Sequence, residues 1–297
     1  MTKISIQFSR FSAFYSPLIA VMAGGFLKDE GLEHEWSNSP VGKSAVNALL
    51  DGSAHVVQSA PSQAFLAAAN GKTPPEVHFA QVNEMDGFFL ASPTADPNFT
   101  WDKLNGAKVI VDQTSVQPLS MFKYACFKQG VDFDQLEIVD AGSGADMIDA
   151  FKDGRGDYIH LQGPAPQQLE YDGAGYIVAA VGPAIGPCAF SSLAATRDWL
   201  ETDMAKAFTR AYGNARGWLI ATPSDDVAHT LSDYFPDVHR SVLGSTIAYY
   251  QKLGNWTPHL EITELAYQAA LDVFEHAGKL PTRPAYADII AAPPRHP

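Results

Sequence analysis

Arg10 is the only cation in residues 9–15, a stretch that also holds Phe11, Phe14 and Tyr15. A guanidinium can fork onto a carboxylate, sulfonate or phosphate with two parallel hydrogen bonds, while aromatic rings hold a flat apolar body beside it. The same residues admit a plainer reading, in which Arg10 pairs with a surface carboxylate and the rings belong to a core. A second group, Gln113, Thr114 and Ser115 after Asp112, presents hydroxyls and backbone N–H groups where a helix is expected to begin. That suits an anion or a carbonyl oxygen, and equally an ordinary helix cap.

Other patterns that could carry chemistry are incomplete. Gly42-Lys43-Ser44 ends like a phosphate-binding loop, but Ser37 stands where that motif needs a glycine, so the segment reads as a helix start. Gly142-Ser143-Gly144 lacks the rest of a dinucleotide fingerprint, and no Gly-x-Ser-x-Gly nucleophile elbow occurs. The nine histidines are scattered without metal-ligand spacing. No metal or cofactor is expected.

The Arg10 loop must be held by its flanking elements. Ile4, Ile6 and Phe8 alternate as in a strand, and Ser16-Pro17 reads as a helix N-cap with proline at the first helical position. Ile19, Met22, Ala23 and Phe26 then share one helical face. Gly24-Gly25 weakens the helix end, and Gly31 turns the chain into a second strand over 33–36. In such a strand–loop–helix–strand unit the loop opens at the carboxyl edge of a sheet, where open α/β proteins bind ligands.

The pattern then restarts. After Leu104 come an apolar strand at 109–111, a helix ending at Gln129-Gly130 and a strand at 137–139. More telling is a repeat: 48–56 recurs as 150–158, each copy a helix end, an Asp-Gly turn and a short strand. Two copies of one α/β design are what a two-lobed protein with a cleft requires. Further on, the periodicity predicts a strand over 193–196, helices over 203–220 and 263–276, and another helix opening at Pro223.

At 297 residues the chain suits two ordinary domains or one large one, and its 46% hydrophobic content is enough for real cores. The net charge of −13 argues against nucleic acid and anionic membrane surfaces as partners, and an acidic ligand would need local donors to offset that field. Two cysteines make no disulfide framework, and Cys126 reads as a small buried residue of a helix. Met1-Thr2-Lys3 leads straight into a strand, with no apolar signal region and no 18-residue apolar run. No membrane insertion is expected, and the protein is either cytoplasmic or exported with its signal removed.

The run Gly25-Phe26-Leu27-Lys28-Asp29-Glu30-Gly31-Leu32 resembles the signature of substrate-binding proteins for nitrate, aliphatic sulfonates and thiamine-pyrimidine precursors. Residues 104–111 and 150–157 match further segments of that family. Its members usually carry Asp at the end of both repeat copies. Asp157 fits and His55 departs, which is either a local packing change or a change on the ligand side. The resemblance implies the α/β, two-lobed type II periplasmic-binding-protein fold, with lobe 1 from 1–87 and 190–297 and lobe 2 from 88–189. Crossovers would lie at 84–92 and 181–190, and the C-terminal helices would pack on lobe 1.

By the same analogy, Ser59 and Ser62 after one repeat strand, and His160 and Gln162 at the other, join Arg10, Phe11, Phe14, Tyr15, Gln113, Thr114 and Ser115 at the cleft. Asn83 and Glu84, with Asp86, stand at the first crossover, where they would accept a ligand amine or hydroxyl or serve the hinge. The implied function is a monomeric receptor that clamps a small organic ligand, aromatic or heteroaromatic with an acidic end, for an ABC permease, with no catalytic residue. The alternative is a cytoplasmic enzyme on the same scaffold, such as a pyrimidine-precursor synthase, an aromatic decarboxylase or a desulfinase, with His160 or Cys188 as acid/base or nucleophile.

Overall fold

Ile4, Ile6 and Phe8 are fully buried along one face of β1 (Thr2–Phe8), as a period-2 apolar pattern dictates. The other strands are β2 (Leu32–Asn38), β3 (Val56–Ser59), β4 (Glu76–Asn83), β5 (Phe88–Ser92), β6 (Lys108–Ile110), β7 (Glu137–Val139), β8 (Tyr158–Gln162), β9 (Tyr176–Ala180) and β10 (Ser191–Thr196). This computed structural model describes residues 1–40 and 42–294; Val41 and the end of the expected return segment, 295–297, lie outside the described residues.

The strands form two five-stranded sheets, ordered β2-β1-β3-β10-β4 and β7-β6-β8-β5-β9. In each sheet the fourth strand runs antiparallel to both neighbours. β10 returns to the first sheet after the second is complete, and β5 opens the second sheet directly after β4. This is a two-lobed type II periplasmic-binding-protein fold.

The repeat seen in the sequence is a repeat in space. Gly52 and Gly154 take left-handed φ values of 76° and 75° at the two Asp-Gly turns, a conformation that glycine adopts without a Cβ clash. Asp157 Oδ2 then accepts from the Lys108 N–H at 2.8 Å, and His55 Nδ1 accepts from the Ser5 N–H at 3.0 Å in the equivalent place. The imidazole therefore does the work of the missing carboxylate, tying β3 to β1 as Asp157 ties β8 to β6. His55 is a packing change.

Three expectations need correction. Residues 88–92 are β5 and not crossover, so the first link between sheets is only 84–87. Ser16 does not cap the first helix: Ser12 caps a short 3-10 turn, Ala13–Tyr15, which runs directly into Ser16–Ala23, and the Ser16 hydroxyl donates to Ala13 O at 2.6 Å. The helix Arg240–Leu253 was absent from the sequence reading.

The C-terminal helices touch both halves. Asp203–Ala221 packs on Ser16–Ala23 and Phe26–Asp29 of the first lobe. Arg240–Leu253 packs on the Ala13–Tyr15 turn and on Ala165–Tyr171 of the second lobe, and Glu264–His276 lies against both Ser62–Ala69 and Val116–Lys128. A fully buried Arg216 donates to Thr257 O, and to Val82 O at 2.9 Å, pinning the end of β4 just before the crossover. No described helix is long and apolar enough to cross a membrane.

Candidate functional site

The ends of four parallel strands converge between the two sheets. Ser9 and Arg10 follow β1, Ser59 ends β3, Ser115 stands after β6, and Gln162 ends β8. Together with Tyr15, Lys43, Gln117, Phe88 and Phe190 they enclose a cavity of about 180 Å³. Carboxyl ends of strands at the junction of two sheets are where this class of fold leaves room for a ligand.

Each wall has a physical cause. The Ser9 N–H and hydroxyl both donate to Gln58 O, at 3.1 and 2.6 Å, which fixes the exit of β1 and leaves the Arg10 side chain exposed. No described carboxylate lies within ion-pair distance of its guanidinium. Tyr15 is buried beside it. Burial pushes the Tyr15 phenol up, and Arg10 and Gln162 oppose that shift. Ser59 Oγ and Gln162 Oε1 are buried and make no hydrogen bond within the protein. Buried polar atoms of this kind normally have partners, so these two are groups on which a ligand can act.

Arg10, Tyr15, Ser59, Ser115 and Gln162 thus line the cavity, whereas several other residues singled out in the sequence are committed elsewhere. Phe11 stacks on Trp36 with ring centroids 4.8 Å apart. Phe14 is core, edge-on to Phe190 at 5.3 Å. The Ser62 hydroxyl donates to Gln117. Asn83 donates to Ser191 Oγ at 2.8 Å and accepts from Trp256 Nε1 at 2.8 Å. Glu84 accepts from the Thr263 hydroxyl at 3.1 Å and meets His259 at 3.2 Å.

The loop after β6 is largely self-satisfied. Burial works to raise the Asp112 carboxyl, but the Ser115 and Thr114 hydroxyls, each donating to it at 2.6 Å, together with the backbone N–H groups of both residues outweigh burial and hold it below the usual range. Gln113 is exposed beside them, outside the cavity wall. His160 is sandwiched between Phe88 and Phe122, with centroids 4.6 and 4.8 Å away, and burial lowers its imidazole to about 3. Cys188 is fully buried, and burial raises its thiol far above the ordinary range. Neither residue reaches the cavity, so neither is placed to act as acid, base or nucleophile there.

Sequence reasoning missed Lys43 and the inter-lobe contacts. Lys43 lines the cavity from the segment that read only as a helix start. Gln117 Nε2 donates to Phe190 O at 2.7 Å while its Oε1 accepts from Ser62. The Tyr250 hydroxyl accepts from the Gly163 N–H and donates to Gly87 O, both at 3.0 Å. No described group of His, Cys, Asp or Glu could hold a metal ion.

Comparison with known proteins agrees with this architecture. Residues 14–226 match the family model described as NMT1/THI5 like. The chain is 25% identical over 293 residues to YtlA of Bacillus subtilis (strain 168), covering 98% of this chain and 88% of that one. Among solved structures, the periplasmic aliphatic sulphonate binding protein SsuA from Escherichia coli superposes with a TM-score of 0.73 at 17% identity, covering 100% of this chain and 94% of that one. A ligand-binding component of an ABC-type import system from Staphylococcus aureus gives 0.74 at 16%, covering 98% and 97%. The matched residues begin in the Ala13–Tyr15 turn and take in every strand after β1, and on that match the chain belongs to the NMT1/THI5-like family.

Proposed function

We propose that this protein is a solute receptor that closes two lobes on a small organic acid and hands it to an ABC permease. One observation carries the reading: strand-end groups of both sheets face one cavity that contains the Arg10 guanidinium and no acidic side chain. The lobes are residues 1–87 with 190–297, and residues 88–189, hinged at 84–87 and 181–190. Arg10 forks onto the acid group, Tyr15, Phe88 and Phe190 flank a flat body, and Ser59 and Gln162 supply hydrogen bonds. A ligand touching both lobes favours the closed form by its differential contacts. The names of the sulphonate-binding and import-system relatives support the same reading.

A thermal-shift screen of aromatic acids, sulfonates and pyrimidines identifies the ligand, because saturation at 100 Kd adds about 2.7 kcal/mol to stability. Calorimetry on Arg10→Ala then tests the site: affinity falls by an amount on the order of 2–5 kcal/mol while the fold persists. Arg10→Lys also weakens binding, since an ammonium cannot reproduce the bidentate fork. Unchanged affinity in a folded Arg10→Ala refutes the assignment.

A further inference from the structure

The second cation of the cavity says more about the ligand than the first. Lys43 comes from the segment before the helix Val46–Leu50, while Arg10 comes from the loop after β1, and both line the same cavity of about 180 Å³. Both side chains are exposed, so two positive charges border one space. No lining side chain is acidic, and no described carboxylate lies within ion-pair distance of the Lys43 ammonium. Lys43 does act on Asp51, an exposed carboxyl outside the cavity, which it helps to lower after the larger effect of Ser53.

This excess of positive charge is local. The chain as a whole carries −13, so two cations and no acid around one small cavity run against its composition. Like charges bordering one cavity repel, and a bound anion of matching charge relieves that repulsion. A monoanion on Arg10 leaves the Lys43 charge uncompensated, whereas a doubly charged group satisfies both. The buried Ser59 hydroxyl adds a neutral donor to the same wall.

Resting on the receptor reading above, the geometry points to a dianionic ligand head, of the phosphate or phosphonate class, held between Arg10 and Lys43. Arg10 supplies the fork and Lys43 the point charge that distinguishes two negative charges from one.

The test uses two pairs of probes of matched shape: phenylphosphonate with benzenesulfonate, and ethylphosphonate with ethanesulfonate. Titration calorimetry is run above and below the second ionisation of the phosphonates. The wild-type protein binds at least one phosphonate tenfold or more tighter than its sulfonate partner, and only above that ionisation. Lys43→Gln cuts phosphonate affinity by tenfold or more and sulfonate affinity by less, so the preference shrinks. Lys43→Arg retains it. Lys128→Gln, which makes the same change of net charge outside the cavity, leaves the ratio as it was. Equal binding within both pairs, or a preference that survives Lys43→Gln, overturns the dianion assignment and leaves the single-anion receptor standing. Binding by none of the four overturns the assignment together with the anion-binding reading of the cavity.

Discussion

The Ser62 hydroxyl donates to Gln117 Oε1 at 2.5 Å, joining the helix Ser62–Ala69 to the helix Val116–Lys128 beside the cavity that Gln117 lines. Gln117 is the only lining residue described above that also bonds the second crossover, through Phe190 O at 2.7 Å. On the proposed lobe boundaries only the Ser62 contact must break for the lobes to part; it is worth about 1 kcal/mol net, so Gln117→Ala is expected to shift the balance toward the open form by about 1 kcal/mol. Small-angle scattering should show a larger radius of gyration for this variant, and ligand affinity should fall in proportion to the lost closed population. Ser62→Ala, which removes the same contact from the other side, should do the same. An unchanged radius with unchanged affinity would mean that the contact has no part in closure.

Asp86 gives the first crossover a sign with respect to pH. Burial pushes its carboxyl up to about 7, against the opposing N–H of Phe88, which donates to Oδ1 at 2.6 Å. Its other oxygen makes no hydrogen bond within the protein. The folded state therefore holds this proton more tightly than the unfolded chain does, and stability is lost as pH rises from the ordinary carboxyl range through about 7. Asp86→Asn should stabilise the fold at pH 8 by an amount on the order of 2–4 kcal/mol, read as a higher melting temperature, and change little at pH 4. Equal effects at both pH values would exclude a buried charge as the cause.

The buried histidines work the other way. Burial lowers His78 and His160 to about 3, so the unfolded chain binds these protons first as pH falls. Their contribution is complete above the ordinary histidine range and is lost between about 6.5 and 3. His160→Gln should flatten acid denaturation in that window, at the cost of the stack between Phe88 and Phe122. An acid limb as steep as that of the wild type would contradict this account.

Trp256 ties the C-terminal segment to the first lobe. Its indole N–H is shared between Asn83 Oδ1 at 2.8 Å and Phe14 O at 3.2 Å. Trp256→Phe keeps an aromatic ring but leaves buried acceptors unpaired, and should cost about 1–3 kcal/mol in chemical denaturation. A loss below the error of the titration would show that the indole N–H is replaceable.

Gly87 has no room for a side chain. A Cβ there would lie 2.2–2.5 Å from the Phe14 ring, inside the packed junction of the two lobes. Gly87→Ala should destabilise by roughly 1–3 kcal/mol through overpacking, or open the lobes to escape the clash. A melting curve and scattering profile both unchanged would show that Phe14 yields freely.

Much of the fold was legible because it rests on local rules. Ile4, Ile6 and Phe8 announced β1, and the paired Asp-Gly turns announced the second lobe, since period and turn chemistry are written in neighbouring residues. What failed depends on distance. Nothing local marks Lys43 as facing the same cavity as Arg10, because a loop position has no periodicity to assign it a face. Phe14 read as a ligand ring because an aromatic in a loop looks the same whether solvent or Phe190 lies beyond it. The helix Arg240–Leu253 was within reach: Val242, Leu243, Thr246, Ile247 and Tyr250 fall on one face and are buried, and Gly254 closes it in the left-handed conformation.

The position of β10 bears on how the chain assembles as it is made. β10 lies between β3 and β4, so β4 has no partner within its own sheet until residues 191–196 arrive, more than a hundred positions later. The second sheet carries no such debt, because β5 to β9 all come from residues 88–180. A chain emerging N-terminus first can therefore finish its middle before its beginning. The exposed edges of β3 and β4 are then the surfaces most open to mispairing during synthesis, until β10 slots between them.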